Sequence, residues 1–219
     1  MYLPHVNRLD DADEIAALVR GVGSAELVTV GADGTPVSTL LPIIWSDDGS
    51  VVIAHMARAN PHWPQIAPGS KALAIVAGAQ AYVSPSWYAS KSEHGRVVPT
   101  WNYSAVHLSG TVTVHDDPDW VRRAVTDLTR MHEDHRHEPW AVSDAPAGYV
   151  DKQLRAIVGL EMRVGKVEAK AKLSQNRSEE DRAGVVAGLR AGGGNREAVV
   201  ADQMDRALRH VHCFNASRA

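Results

Sequence analysis

The clearest chemical signal in this sequence is a histidine on a rigid turn. In the stretch ARANPHW, residues 57–63, Pro61 fixes its own backbone and biases Asn60 toward an extended conformation. His62 therefore lies on a pre-positioned turn that follows a predicted strand ending at His55. Imidazole held in this way suits metal binding or proton transfer, whereas an exposed turn residue is the competing interpretation.

A second signal is a concentration of aromatic side chains in a chain with only 5% aromatics. Residues 83–103, VSPSWYASKSEHGRVVPTWNY, form a predicted loop with two prolines. Its large rings belong to Trp87, Tyr88, Trp101 and Tyr103, and its cations to Lys91, His94 and Arg96. An aromatic floor with a cationic rim is what a flavin or a porphyrin requires. The alternative is that the rings only pin a long loop to the core.

A third candidate is a run of hydrogen-bond donors before a predicted helix. The run lies in KAKLSQNRS, residues 170–178, and consists of Lys172, Ser174, Gln175, Asn176 and Arg177. A helix amino terminus favours an anion such as a phosphate or a carboxylate. An ordinary polar loop that Ser178 caps explains the same residues.

Other motifs indicate less chemistry. The cluster MHEDHRH places His132, His135 and His137 near a helix end, where charged, solvated histidines are favourable and typical zinc spacing is missing. The sequence contains no GxSxG, Walker or dinucleotide-binding motif, and Cys213 lies in a predicted tail.

Composition narrows the class of protein. With 219 residues and 44% hydrophobic content, the chain is long enough for one large domain. No apolar run approaches the length of a membrane span, and the first residues do not resemble a signal peptide, so we expect a cytoplasmic protein. One cysteine excludes an internal disulfide. The net charge of −3 argues against nucleic-acid binding.

The elements that must position these residues follow from periodicity and turn signals. Strands are predicted at 27–30, 37–45, 51–55, 71–77, 80–84, 104–115 and 159–168, and helices at 11–22, after Asp117, at about 143–157, at 178–189 and near 199–211. The alternation over 104–115 is strict. This order indicates an α+β domain built on an antiparallel barrel or sandwich. Glycines 192–194 separate a domain over residues 1–190 from a helical tail over residues 191–219.

Taken together, six motifs resemble those of the PaiB family of FMN-binding negative transcriptional regulators. They are MYLP, HMARANPHW, AYVSPSWY, VVPTWNYSAVH, APAGYV and KLSQNRSEEDRAGV, and the likeness runs from Met1 to about Leu189. The resemblance implies a split β-barrel of the flavin-binding type with peripheral helices. It also implies a homodimer with cofactor sites at the subunit interface. Leu40 and Gln80 stand where many relatives have histidine.

The same motifs are similar to those of piperazate synthases, which are heme proteins of this family. That resemblance implies heme b and conversion of N5-hydroxy-L-ornithine, an amino-acid substrate, to L-piperazate by N–N bond formation. His62 is then the first choice for the catalytic iron ligand, with His55 second and His107 third.

The resemblance also implies further cofactor contacts. Cations for the propionates would be Arg58, Lys91 or Lys172, and the other expected contacts are Asn60, Trp87, Tyr88, Trp101, Ser174, Gln175 and Asn176. The alternative function is an FMN-binding regulator or a flavin-dependent reductase.

Overall fold

The computed structural model describes the backbone of residues 1–216 and the side chains of residues 1–207. The Cys213 side chain and the last three residues of the predicted tail lie outside the described part. Six strands are present: β1 Ser24–Val30, β2 Pro36–Trp45, β3 Val51–Ala57, β4 Ser70–Val83, β5 Thr100–His115 and β6 Ile157–Lys172. The α-helices are α1 Ala12–Val22, α2 Ser90–His94, α3 Pro118–Glu133, α4 Ala147–Leu154, α5 Glu179–Ala191 and α6 Asn195–Ala216. Short 3₁₀ helices occur at His5–Asn7, Trp63–Gln65, Pro85–Trp87 and Val142–Asp144.

The strands form a closed barrel in the order β1-β2-β3-β6-β5-β4. Antiparallel registers set Leu27 opposite Thr39 and Ala54 opposite Leu160. The turn between β1 and β2 contains the sequence GADG, residues 31–34, in which Gly34 takes a φ of 83° that favours glycine. The predicted α+β split barrel with peripheral helices is therefore confirmed.

Contact clustering divides the chain into two compact units. The barrel unit comprises residues 11–76 and 106–168, and the terminal unit comprises residues 1–10, 77–105 and, among the described residues, 169–216. Strands β4, β5 and β6 contribute residues to both units.

The barrel interior is filled by apolar side chains at alternating strand positions. Its lining consists of Ala25, Leu27, Leu41, Ile43, Val52, Ala54, Ala74, Val112, Leu160 and Met162. Each fully buried leucine or methionine contributes about 1.5–3 kcal/mol of hydrophobic free energy. Strand β5 approaches β6 so closely at Gly110 that a Cβ there would lie 1.9 Å from the Arg163 carbonyl oxygen. Only glycine fits this contact.

Helix α3 begins after Asp117, as the sequence predicts, and packs on the barrel. The Asp117 side chain accepts hydrogen bonds from the backbone N–H groups of Asp119 and Trp120, and Pro118 occupies the first turn. The indole of Trp120 lies over Gly159 of β6, where a Cβ would come within 2.1 Å of the ring. The absence of a side chain at Gly159 therefore allows α3 to pack closely against the strand.

The core of the terminal unit is formed by strand residues together with α5 and α6. Its buried members are Ala81, Val83, Tyr88, Leu173, Val185, Val186, Leu189, Val200, Ala201 and Met204. Three of these buried residues lie on α6, after residue 190, where the boundary between the domain and the helical tail is predicted. The position of that boundary remains a prediction. None of the helices within residues 1–216 is long and apolar enough to cross a bilayer.

Several predicted elements differ from the structure. The two strands predicted at 71–77 and 80–84 form the single strand β4. The helix predicted at about 143–157 is replaced by a 3₁₀ turn and the shorter α4, because Pro146 stands between them. The predicted aromatic loop ends early, so that Trp101 and Tyr103 belong to β5. The last helix begins at Asn195 rather than near 199.

We expect Gly159→Ala to lower the free energy of unfolding by about 1–3 kcal/mol, because the added methyl overlaps the Trp120 ring. Gly148→Ala is the matched control, since nothing lies within 4 Å of a Cβ at that helical position. The control should leave stability unchanged or raise it by up to about 1 kcal/mol. Urea unfolding measures both variants, and equal stabilities would contradict the proposed seating of α3.

Candidate functional site

The residues singled out from the sequence divide between the two units. Arg58, Asn60 and His62, with the alternatives His55 and His107, belong to the barrel unit. Trp87, Tyr88, Lys91, Trp101, Lys172, Ser174, Gln175 and Asn176 belong to the terminal unit.

His62 is buried, with 1% of its surface exposed, and both of its ring nitrogens are hydrogen-bonded. Its Nε2 lies 2.8 Å from the Thr29 hydroxyl of β1, and its Nδ1 lies 2.8 Å from the Thr39 hydroxyl of β2. Burial lowers the pKa of His62 below its ordinary value of 6.5. A neutral imidazole donates through one nitrogen and accepts through the other, and a threonine hydroxyl complements either role. The site is therefore satisfied by the protein alone.

This arrangement does not fit iron ligation by His62. A heme ligand must direct one nitrogen lone pair at the metal, whereas both nitrogens here contact threonine hydroxyls. Coordination would require a hydrogen bond to break and the buried ring to move. We therefore derive no catalytic step through a heme on His62.

The neighbouring predicted contacts hold the turn in place. The Asn60 side-chain oxygen accepts a hydrogen bond from the His62 backbone N–H at 2.9 Å. Arg58 forms an ion pair with Asp116 and donates through Nε to the Arg155 carbonyl oxygen at 2.9 Å. Both side chains are thus engaged with the barrel unit itself.

The two alternative histidines lie on strands β3 and β5 of the barrel, with β6 between them. His55 on β3 and His107 on β5 are both half-buried, and burial lowers the pKa of each ring. His55 Nδ1 is buried and has no hydrogen-bond partner among the described residues. An unsatisfied buried nitrogen of this kind is uncommon and requires an explanation.

In the terminal unit, strand alternation sorts side chains onto two faces of the β4–β5–β6 sheet. The face toward α5 and α6 carries Val83, Asn102 and Leu173, which are buried. Asn102 donates a hydrogen bond to the Ser174 hydroxyl at 3.0 Å and contacts Met204 Sδ at 3.4 Å. This face is part of the core.

The alternate positions form a second surface, which we call the aromatic–lysine face. It consists of Gln80 and Tyr82 of β4, Trp101 and Tyr103 of β5, and Lys170 and Lys172 of β6. The rings of Tyr82 and Trp101 lie 6.4 Å apart at 58°, and the Trp101 indole N–H donates to the Gln80 side-chain oxygen at 3.0 Å. Tyr82 is 49% exposed and Trp101 is 46% exposed. Two large aromatic side chains thus stand side by side at the surface.

Two ammonium groups border these rings. Lys172 Nζ donates to the Thr100 hydroxyl and to the Trp101 carbonyl oxygen, and burial lowers the pKa of Lys172. Lys170 is buried, with 7% of its surface exposed, and its Nζ donates to the Tyr2 carbonyl oxygen at 3.1 Å and lies 5.2 Å from the centre of the Tyr103 ring. Within residues 1–207, neither lysine forms an ion pair with a carboxylate. The positive charge at this face is therefore compensated only by dipoles and ring faces, which favours an anion.

The other aromatic predictions have roles in packing. Trp87 lies against α5, where a Cβ at Gly188 would come within 2.3 Å of the indole. Tyr88 is 3% exposed and packs in the core, with the Arg177 guanidinium 4.8 Å from its ring. Lys91 donates to the Ser86 hydroxyl at 3.0 Å.

The predicted run of donors before α5 is largely turned inward. Ser174 is buried with a φ of 62°, and its hydroxyl contacts Asn102. The Gln175 side chain accepts from the Leu173 backbone N–H at 2.7 Å. Ser178 caps α5 by accepting from the Asp181 backbone N–H. Asn176 is exposed in the same loop, and among the run only Lys172 lies on the aromatic–lysine face.

Sequence reasoning therefore found Trp101 and Lys172 but did not single out Gln80, Tyr82 and Lys170 as site residues. The alternation of side chains in GAQAYV and KAKL indicates which residues share this face, provided that each segment is recognised as part of a long strand. Because residues 80–84 were predicted as a separate short strand, the contact between the Tyr82 and Trp101 rings was not predicted.

These features define a split-barrel protein with peripheral helices. The family model described as "Putative FMN-binding domain" matches residues 1–166. The chain is 32% identical to the Protease synthase and sporulation protein PAI 2 of Bacillus subtilis over 206 residues, which is 93% of this chain and 94% of that protein. The chain therefore belongs to this PaiB-like FMN-binding family.

Solved structures share the fold. The FAD and heme binding protein from Mycobacterium smegmatis is 21% identical, with a TM-score of 0.58 over 81% of this chain and 79% of that chain. A flavocytochrome from Azotobacter vinelandii is 16% identical, with a TM-score of 0.55 over 82% of this chain and 76% of that chain. At these identities the likeness establishes the fold alone.

We expect the stability of the barrel unit to depend on a neutral His62. Since the unfolded chain titrates near 6.5 and the folded pKa is lower, the unfolded chain takes up a proton first as the pH falls. The contribution is complete above about pH 6.5 and is lost as the pH falls toward the folded pKa. Urea unfolding of the unaltered protein and of His62→Gln at pH 7.5 and pH 5.5 measures it.

The unaltered protein should lose more stability than His62→Gln between these two pH values, and His62→Gln should be less stable at pH 7.5. His135→Gln is the control, because His135 is exposed. Identical pH dependence of His62→Gln and the unaltered protein would contradict the buried, neutral imidazole.

Proposed function

We propose that this protein binds FMN at the aromatic–lysine face and acts as a flavin-dependent redox protein. The observation that carries the proposal is the exposed pair Tyr82 and Trp101, which stands beside two lysines whose ammonium groups, among the described residues, donate to a hydroxyl and to carbonyl oxygens. Exposed adjoining aromatic rings are costly in water and suit a flat ligand. Membership in the FMN-binding family supports the same cofactor.

The residues present fit the two ends of FMN. Trp101 and Tyr82 would stack on the flat ring system and exclude water from it. Lys172 would pair with the phosphate, with Lys170 adding positive charge nearby. When bound, the flavin would supply reversible electron transfer, which the side chains of the chain themselves do not provide.

A homodimer forms part of this proposal. The aromatic–lysine face exposes apolar ring surface that a second copy would cover together with the cofactor, as the family resemblance implies. Light scattering during size-exclusion chromatography measures the mass in solution, and a monomer that binds FMN fully would remove the dimer from the proposal.

Heme-dependent N–N cyclisation is the second candidate. It would convert N5-hydroxy-L-ornithine to L-piperazate with loss of water. The observation in its favour is the unsatisfied Nδ1 of His55, and the fold neighbours include proteins described as heme-binding and as flavocytochrome. In this alternative His55 replaces His62 as the first choice of ligand, because the ring of His62 is already satisfied.

We expect Trp101→Ala to weaken FMN binding by about tenfold or more through loss of ring stacking. Trp140→Ala is the matched control, because Trp140 is 48% exposed and lies in the barrel unit. Tyr82→Ala and Tyr149→Ala form a second pair of exposed tyrosines. Quenching of flavin fluorescence during titration gives the dissociation constants.

The same preparations should be titrated with hemin. Equal loss of FMN affinity in Trp101→Ala and Trp140→Ala would contradict the assigned face. A Soret band that disappears in His55→Ala, with no FMN uptake by the unaltered protein, would replace the flavin proposal with the heme alternative.

We expect Lys172→Gln to weaken binding of FMN while leaving binding of riboflavin unchanged, because riboflavin lacks the phosphate that the ammonium would contact. Lys91→Gln is the control, since Lys91 is exposed and bonds to Ser86. Isothermal titration with both flavins measures the difference. Equal losses of affinity for FMN and riboflavin would contradict the proposed contact between the phosphate and Lys172.

A further inference from the structure

A large groove lies in the barrel unit, on elements that the flavin proposal does not use. It runs between α3 and residues 139–150 and encloses about 630 Å³. This volume is within the usual range of small-molecule pockets. We call it the α3 groove.

One wall of the α3 groove is apolar. Val142, Ala145 and Val150 belong to the small core cluster beneath α3 and α4, and they also line the groove. Trp140 lines it as well and remains 48% exposed. An indole beside three small apolar side chains provides a contact surface for an aliphatic or aromatic group.

The opposite wall, formed by α3 and its C-cap, carries three charged residues, of which Arg130 and Asp134 have opposite sign. Arg130 and Asp134 stand four residues apart, so they are neighbours on the same helix face. Arg130 makes one ion-pair contact, of 3.8 Å, with Asp127, and an exposed contact of this kind contributes little. Its guanidinium is therefore able to bind a carboxylate through two parallel hydrogen bonds.

Asp134 is placed where a cation is favoured. It is the C-cap of α3, and its backbone N–H donates to the Arg130 carbonyl oxygen. The carboxyl end of a helix carries partial negative charge, which adds to the Asp134 carboxylate. The third charged residue of the lining, Arg122, is already paired with Asp151 at 2.5 Å. The uncommitted charges of the groove are thus one cation and one anion.

We propose that the α3 groove binds a free α-amino acid with an apolar side chain. Its carboxylate contacts Arg130, its ammonium group contacts Asp134 and the end of α3, and its side chain packs on Trp140 and Val142. An α-amino acid carries its ammonium and carboxylate groups on the same carbon atom, so the two charges can meet side chains one helical turn apart. This site is separate from the proposed flavin face and does not depend on it.

The test uses the full-length protein with L-leucine, L-phenylalanine and glycine as probes. Saturation-transfer NMR and thermal shift should detect the two apolar amino acids and give much weaker binding of glycine. Leucinamide lacks the carboxylate and N-acetyl-L-leucine lacks the ammonium group, so each should bind about tenfold or more weakly than L-leucine. Equal binding of L-leucine and either analogue would overturn the proposal, as would no binding of any probe.

Two variants separate the charges. R130Q should remove the preference for L-leucine over leucinamide, and D134N should remove the preference over N-acetyl-L-leucine. Both side chains are exposed, so circular dichroism should show an unchanged fold. R123Q is the matched control, because Arg123 is an exposed residue of α3 outside the groove. Unchanged preferences in R130Q and D134N would overturn the assignment of the groove.

Discussion

The alternation of side chains along β4, β5 and β6 is the constraint on which the rest of this structure depends. In a strand, neighbouring residues point to opposite faces, so one set of positions must be apolar if the other is to meet solvent. In the barrel unit this rule fills the interior with residues such as Val112 and Leu160. In the terminal unit it buries Val83 and leaves Tyr82 exposed. A shift of one residue in register would exchange the two sets.

Buried polar groups need hydrogen-bond partners, and this requirement explains why the other candidate residues are bonded within the chain. His62 is satisfied by Thr29 and Thr39, and Ser174 is satisfied by Asn102. Side chains whose hydrogen bonds are made within the chain have few donors and acceptors left for a ligand. The aromatic–lysine face differs because its ring surfaces are exposed and its ammonium groups meet no carboxylate among the described side chains. It therefore combines exposed stacking surface with ammonium groups that are compensated by dipoles and ring faces.

Local sequence signals predicted much of the fold. The Asp117 cap, the Pro118 start of α3 and the strict alternation over β5 were all visible in short windows, and the structure confirms them. The split barrel was predicted from the motif resemblance and not from local signals, because closure of a barrel depends on pairings between distant strands. The continuity of β4 was missed, since residues 71–77 and 80–84 were predicted as two strands although a single strand passes through Gly78.

The site was harder to predict than the fold for the same reason. That Tyr82 adjoins Trp101, and that threonines on β1 and β2 bind His62, follows from strand pairing and packing rather than from spacing along the chain. The α3 groove likewise joins a helix face to a later segment.

The central claim is that the aromatic–lysine face holds the flavin. A crystal structure determined in the presence of FMN tests it most directly. We predict density for the flat ring system against Trp101 and Tyr82, with the phosphate beside Lys172. Flavin density elsewhere on the protein, with this face unchanged, would contradict the account.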